Sequence, residues 1–115
     1  MKLEIQVCSL ELSQKLHALG VKQESLFWWH HNKRRFVLAS SRDRLWTNQE
    51  RYAAFTVAEL DDILKHRLNS VFYLEASDEW VVKASVKAPA QFDPHPAGAR
   101  AKMLIYLIEN QLITV

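Results

Sequence analysis

Two aromatic segments of fourteen residues constrain the fold of this chain more than any other feature. Residues 27–40 read FWWHHNKRRFVLAS and residues 72–85 read FYLEASDEWVVKAS, and the two align without a gap at a spacing of 45 residues. Each segment is rich in aromatic and β-branched residues around a polar centre, which is typical of a β-hairpin. Each also follows a stretch with helical spacing, so the chain is predicted to run helix–hairpin, helix–hairpin, and to close with a third helix.

This order favours a duplicated unit, and the alternative is chance recurrence of strand-forming residues. The preferred hairpin registers differ, which counts against duplication. A two-residue turn at residues 32–33 places Trp29 opposite Phe36, whereas a connection at residues 76–78 serves the second hairpin. The first hairpin then has the core face Phe27, Trp29, Phe36 and Leu38 and the outward face Trp28, His30, Arg35 and Val37. The inner face of the second hairpin is predicted to be Phe72, Leu74, Trp80 and Val82.

Three helices are predicted from apolar spacing and capping residues. Ser9 caps the first, whose leucines fall at positions 12, 16 and 19 before a left-handed stop at Gly20. The second helix is predicted to begin with a capping box formed by Thr56 and Glu59. Phe55 and Leu60, on either side of this box, are predicted to form a hydrophobic staple. The third is predicted to begin at Asp93 and Pro94 and to end near Glu109, as a central core helix or one shared with an oligomer partner.

The remaining segments are shorter. Residues 3–7 alternate apolar and polar side chains, which predicts a short strand, and residues 112–115 are predicted to form another. Residues 40–54 have no clean period and are interpreted as a connecting loop. The expected fold is therefore a single α+β domain over residues 1–115, with an antiparallel sheet built from two hairpins and three helices packed largely on one face.

Composition excludes several classes of protein. With 115 residues, 49% of them hydrophobic, the chain is long enough for one domain with a core and too apolar for wholesale disorder. One cysteine, Cys8, excludes an intrachain disulfide framework and is interpreted as a small buried hydrophobe, with a reactive thiol as the alternative. The N-terminus lacks the apolar stretch of a signal peptide, and the longest apolar run is far shorter than a membrane span. A cytoplasmic protein is expected.

No motif of a known catalytic class is present. The chain has two glycines and lacks the P-loop, G-x-S-x-G and H-E-x-x-H patterns, so no enzymatic activity and no cofactor are predicted. Asp62 and His66 fall at i and i+4 on a helix and could supply two ligands, but no further ligand has diagnostic spacing. No metal site is predicted.

The strongest candidate for a binding site is a basic–aromatic cluster. Residues 1–55 carry nine Lys and Arg against five Asp and Glu, and much of the excess lies in and after the first hairpin. Cations attract phosphates and aromatic faces stack on bases, so this cluster favours a contact surface on the outward face of that hairpin. The alternative is a solvated hairpin tip beside buried aromatic residues. The candidate binding residues are Trp28, His30, Lys33, Arg34, Arg35, Val37, Arg42 and Arg44.

Two further stretches are VCSLELSQKLHALGVKQESLFWW at residues 7–29 and ARAKMLIYLIENQLI at residues 99–113, with FTVAEL at residues 55–60 between them. Together they resemble a family of small, largely uncharacterised proteins encoded by bacteriophages and prophages. The resemblance implies a mobile-element origin and the interior of a host cell, and it carries no assigned activity.

Two functions follow from these observations as predictions. The first is a non-enzymatic protein–protein interaction or assembly module with a protein partner or a second copy of the chain. The alternative is a weak, largely sequence-nonspecific nucleic-acid-binding protein that uses the basic–aromatic hairpin face.

Overall fold

Each predicted hairpin is joined by a third, shorter strand, so the strands form two sheets. The computed structural model describes residues 2–32, 35–40 and 51–114, and of Asn32 and His66 it describes the backbone alone. Within these residues the helices are α1 (Leu10–Ala18), α2 (Val57–Leu64) and α3 (Pro96–Glu109). The strands are β1 (Phe27–Asn32), β2 (Arg35–Ser40), β3 (Arg51–Ala53), β4 (Leu68–Leu74), β5 (Glu79–Ala84) and β6 (Gln91–Asp93).

Both sheets are antiparallel, the first in the order β2-β1-β3 and the second in the order β4-β5-β6. The predicted α+β class, the two hairpins and the three helices are confirmed. The third strand pairs with the first strand of the first hairpin but with the second strand of the second hairpin. The helix–hairpin order therefore recurs, whereas the strand pairing does not.

The first two helices begin where their capping residues predict. The Ser9 hydroxyl accepts a hydrogen bond from the Leu12 amide at 3.3 Å, and Gly20 follows α1 with a φ of 87°. At α2 the Thr56 hydroxyl accepts from the Glu59 amide at 3.2 Å, while the Glu59 carboxylate accepts from the Thr56 amide at 2.9 Å. Both predicted starts are confirmed. They could be predicted from the sequence because each depends on hydrogen bonds between residues three apart.

The predicted start of α3 is wrong by two residues. The helix begins at Pro96, with His95 as its N-cap, and Asp93 is the last residue of β6. The Asp93 carboxylate still accepts a hydrogen bond from the His95 amide, at 2.9 Å. Pro96 thus takes the first helical position, where a missing N–H costs nothing.

The two predicted terminal strands are also absent from the described residues. Leu3–Ile5 forms a 3₁₀ turn, because the Ile5 and Gln6 amides bond to carbonyls three residues back, and only Val7 makes an isolated bridge, to Thr56. Residues 112–114 instead follow a left-handed Gln111, with a φ of 57°. The Leu112 amide then bonds to the Leu107 carbonyl at 2.9 Å, which closes α3 as a Schellman motif.

The interpretation of residues 40–54 as a loop is wrong for its last part. Residues 51–53 form β3 and pair with β1, with Trp28 opposite Ala53 and His30 opposite Arg51. Residues 41–50 lie outside the described part of the chain. A three-residue strand is too short to show an alternating pattern in the sequence. Its extended conformation depends instead on hydrogen bonding to β1.

The first hairpin has the predicted faces in a different register. Trp29 lies opposite Leu38 rather than Phe36, and Asn32 pairs with Arg35. The register therefore differs from the prediction by two residues. Because side chains alternate with a period of two, such a shift keeps the same residues together on each face. The predicted core face of Phe27, Trp29, Phe36 and Leu38 is nevertheless wrong, because the buried core member Trp28 lies on the opposite face.

The second hairpin differs by one residue, which reverses one strand. Leu74 pairs with Glu79, so the connection is the four residues 75–78, and Asp78 ends it with a φ of 53°. Phe72 then lies opposite Val81 instead of Val82. The prediction that Phe72 and Leu74 share the inner face with Trp80 and Val82 is wrong, since a one-residue slip moves a strand's side chains to the other face.

Helix α3 lies at the centre of the molecule and confirms the prediction of a core helix. It contacts the other helices through polar pairs: Arg100 Nε lies 2.6 Å from Asp61 Oδ1 on α2, and Lys15 Nζ on α1 lies 3.1 Å from Glu109. Lys102 reaches the second sheet, 2.9 Å from Asp93 Oδ1. The buried residues of α3 are Ala97, Gly98, Ala99, Arg100, Ala101, Met103, Leu104, Ile105 and Leu107.

Candidate interaction surfaces

The predicted basic–aromatic site does not form one exposed face among the residues that the structure describes. Trp28 and His30 are buried, at 8% and 7% exposure. Val37 is half-buried and Arg35 is exposed. Four other members of the predicted site, Lys33, Arg34, Arg42 and Arg44, lie outside the described residues.

Trp28 belongs to the hydrophobic core. It is a member of the same buried cluster as Leu16, Val21 and Ala53, and Ala53 is its cross-strand neighbour on β3. The guanidinium carbon of Arg51 lies 4.6 Å from the centre of the Trp28 ring, which is a cation–π contact. The prediction that Trp28 and His30 point outward is therefore wrong, and the core contacts of Trp28 leave no free ring face for a nucleic-acid base.

The opposite face of the first sheet is also covered in part. The Trp29 indole donates a hydrogen bond to the Cys8 carbonyl at 3.0 Å. Tyr52 lies on the same face and contacts the ring of His17 on α1, with centroids 5.2 Å apart, and the ring of Phe36, at 5.8 Å. The aromatic residues of the first sheet are thus held from both sides.

The second sheet carries on one face apolar side chains that stay more than a third exposed, around the buried Val81. Phe72, Val81 and Phe92 are cross-strand neighbours on β4, β5 and β6, so they form one row across the sheet. Phe72 is 38% exposed, Phe92 is 44% exposed, and Leu74 beside them on β4 is 37% exposed. These four residues, Phe72, Leu74, Val81 and Phe92, are called the outer apolar face below.

Val81 shows that this face is separate from the main core. Its side chain is 1% exposed, yet it is not part of the core cluster that contains its neighbour Val82. Trp80 packs partly against that core, on the same side as Val82. Phe72 and Phe92 are the cross-strand neighbours of Val81 on either side, and they are themselves 38% and 44% exposed.

Sequence reasoning missed this surface for two identifiable reasons. The predicted connection, residues 76–78, is one residue shorter than the observed connection, residues 75–78. Asp78 adopts the left-handed conformation, which Asp tolerates better than most residues, so an Asp at this position indicates the end of the turn. Phe92 lies in a three-residue strand between Pro89 and Pro94, which has too few residues to show alternation in the sequence.

The described residues offer little chemistry for catalysis. The Glu59 carboxylate is occupied, because it accepts from the Ser25 hydroxyl at 2.8 Å and from the Leu26 amide at 3.1 Å, besides capping α2. Burial raises the pKa of the Cys8 thiol, which disfavours the reactive thiolate, and the hydrogen bond to Asp78 raises the pKa of the exposed Tyr73 phenol. Across the described ranges, no three His, Cys, Asp or Glu side chains converge on a point that could hold a metal ion.

Comparisons of this chain with known protein families, with curated proteins and with solved structures found no match. The resemblance to bacteriophage and prophage proteins therefore stays a prediction. In the part of the chain that the structure describes, no helix combines the length and the apolarity needed to cross a bilayer.

Proposed function

We propose that this protein is a non-enzymatic protein–protein interaction or assembly module, and that its contact surface is the outer apolar face. The observation that supports this is that Phe72, Phe92 and Leu74 stay partly exposed around the buried Val81 on one face of the second sheet. Contiguous exposed apolar surface on a soluble domain typically marks a site of contact with another molecule, whereas scattered single apolar residues need no explanation.

Folding of the domain does not account for the two exposed rings. The inner face of the second sheet already supplies the core with Val82, and with Val71 and Trp80 in part. Burial of apolar surface is worth roughly 25 cal/mol per Å². Phe72 and Phe92 stay 38% and 44% exposed, so more than a third of that gain is unused until a partner covers them.

The surroundings of the row suit an interface with a polar rim. The ammonium group of Lys83 lies 5.4 Å from the centre of the Phe72 ring, on the same side of the sheet. Glu79, opposite Leu74, lies at the other end of β5. An apolar centre bordered by charged residues is the usual composition of a protein–protein interface.

Site-specific photo-crosslinking in living cells tests the proposal. A benzophenone amino acid is placed at position 92 in one variant and at position 26 in the control. Leu26 is a matched control because it is apolar and even more exposed, at 61%, but lies outside the outer apolar face. A discrete protein adduct from position 92 and none from position 26 is expected. No adduct from position 92, or the same adducts from both positions, would contradict the proposal.

Nucleic-acid binding stays the alternative, now without Trp28 as a stacking platform. It would depend on charge alone, through Arg35 and the residues of the predicted site outside the described part of the chain. Such binding weakens steeply with rising salt. Absence of retention on heparin or DNA at low salt would remove the alternative. The proposal further assumes the cytoplasm of a host cell, as the resemblance to phage-encoded proteins implies.

A further inference from the structure

The outer apolar face has a charge pattern that is complementary to itself. On β5 the central residue of the row is Val81, and the same side of the strand carries Glu79 two residues before it and Lys83 two residues after it. The side chain of Lys83 is held over Phe72, which shows that both lie on this face. An acidic residue therefore stands on one side of the apolar row and a basic residue on the other.

We infer that the partner of this face is a second copy of the chain, seated face to face across a two-fold axis that runs along the row. This inference rests on the proposed function and names its partner. The rotation reverses the strand direction, so each Phe72, Val81 and Phe92 meets its own counterpart. Residues two positions before Val81 then face residues two positions after it, and each Lys83 lies over the partner copy's acidic position 79.

The dimensions of packed sheets are compatible with this pairing. Glu79 and Lys83 are four residues apart on β5, which corresponds to ~13 Å along a strand. Two sheets packed face to face lie ~10 Å apart, a gap that long Lys and Glu side chains approach from either side. A one-copy arrangement cannot bring these two groups together, because Val81 and the row lie between them.

The size of the face predicts a weak dimer. Two strands with about five residues each and the three residues of β6, at ~4.8 Å between strands and ~3.3 Å per residue, cover roughly 200 Å² per protomer. A stable interface buries about 800 Å² on each partner, so this dimer belongs to the small, transient class. Association that depends on protein concentration is therefore expected.

Pairing through the edge of β4 is the other way in which two copies could meet. No strand pairs with the outer edge of β4 among the described residues, and its sequence, LNSVFYL, has no charge or proline to block addition of a strand. Such a pair would extend the sheet but leave Phe72 and Phe92 open to solvent. The face-to-face arrangement is favoured because it covers them.

Charge reversal distinguishes the two arrangements. Lys83→Glu and Glu79→Lys each place like charges at both two-fold-related contacts, so the dissociation constant of each variant is expected to rise ~10-fold. Mixed with each other, the two variants form a heterodimer with opposite charges at both contacts. The double variant Glu79→Lys/Lys83→Glu restores the attraction in one chain. Lys22→Glu, at a residue outside both sheets, is the matched control.

The experiment measures sedimentation equilibrium over a wide range of concentration, with circular dichroism to show that each variant is folded. A dimer that is weakened by each reversal, restored by mixing and by the double variant, and unchanged by Lys22→Glu supports the inference. A wild-type chain that is monomeric throughout overturns it, as does a dimer that ignores both reversals. Photo-crosslinking from position 92 to a different protein would then leave the proposed function standing and the two-fold pairing excluded.

Discussion

The two sheets of this molecule are built from similar sequences and are treated differently by the rest of the chain. In the first sheet Trp28 is 8% exposed within the core, and Trp29 on the other side is bonded to the Cys8 carbonyl. In the second sheet Val82 is fully buried on one side, while Phe72 and Phe92 are 38% and 44% exposed on the other. One sheet is packed from two sides and the other from one.

This difference shows that aromatic content does not identify a binding surface. The first hairpin has the greater number of aromatic and basic residues, and its aromatic rings are used for packing. The second hairpin has fewer, and the rings of Phe72 on β4 and Phe92 on β6 are open because α3 lies against the other face of this sheet, where Lys102 pairs with the Asp93 side chain at 2.9 Å. Which rings remain available depends on where the helices lie.

The largest expected difference between the two sheets is in the stability lost when an aromatic side chain is removed. Trp28→Ala should lower the free energy of unfolding by ~3–5 kcal/mol, because it removes a large buried ring. Phe92→Ala should lower it by less, ~1–2 kcal/mol, because 44% of that side chain is already exposed. Urea denaturation of both variants measures the difference. Equal losses would mean that the two sheets are packed alike.

The inner side of the second sheet can be tested at Gly98, where α3 meets β6. A Cβ at this position would lie 2.1 Å from the Asp93 carboxylate oxygen, so Gly98→Ala should cost ~1–3 kcal/mol of stability. The cost should shrink in an Asp93→Ala background, which removes the obstructing group. Gly20→Ala is the contrasting variant, because a Cβ there meets nothing within 4 Å and only its φ of 87° opposes the change. An undiminished cost in the double variant would refute the contact.

Alkaline pH tests the covered side of the first sheet through Cys8. Burial raises the pKa of this thiol above its ordinary value of 9.0. The folded state therefore holds the proton more tightly than the unfolded state, and stability is complete below pH 9 and falls as pH rises through the higher folded-state pKa. The slope for one proton is at most ~1.4 kcal/mol per pH unit. Cys8→Ser should show a shallower fall in thermal-melt series, and identical slopes would contradict the burial of the thiol.

The smallest expected change in stability is at Leu74, on the outer apolar face. Leu74→Ser should change the free energy of unfolding by no more than ~0.5 kcal/mol, because Leu74 is already 37% exposed. The same variant should bind less of a fluorescent apolar dye than the parent chain. A clear loss of stability with unchanged dye binding would show that Leu74 supports the fold rather than a surface.

Predictions that depend on neighbouring residues succeeded. The caps at Ser9 and Thr56 and the left-handed Gly20 were readable because each interaction closes within four residues. The two hairpins were readable from strand-forming composition on either side of a polar centre. The start of α3 was missed because Asp93 and Pro94 resemble a cap, yet Asp93 is taken by β6 and by its ion pair with Lys102.

Predictions about the candidate site depended on strand register and on burial, and neither property was predicted correctly for both hairpins. A two-residue error in the first hairpin kept the same residues on each face but did not show which face is buried, whereas a one-residue error in the second moved Phe72 and Leu74 outside. Burial of Trp28 could not be read from its own segment, because the residues of its core cluster come from α1, β3 and beyond.

Short-range hydrogen bonds and side-chain periodicity specify the α+β class, the order of helices and hairpins and two helix starts, so these features can be predicted from the amino-acid sequence. Which face of each hairpin is buried becomes visible in the folded molecule alone. The buried face depends on packing between segments that are far apart in the chain. The local sequence around the buried Trp28 and around the exposed Phe92 does not show this difference.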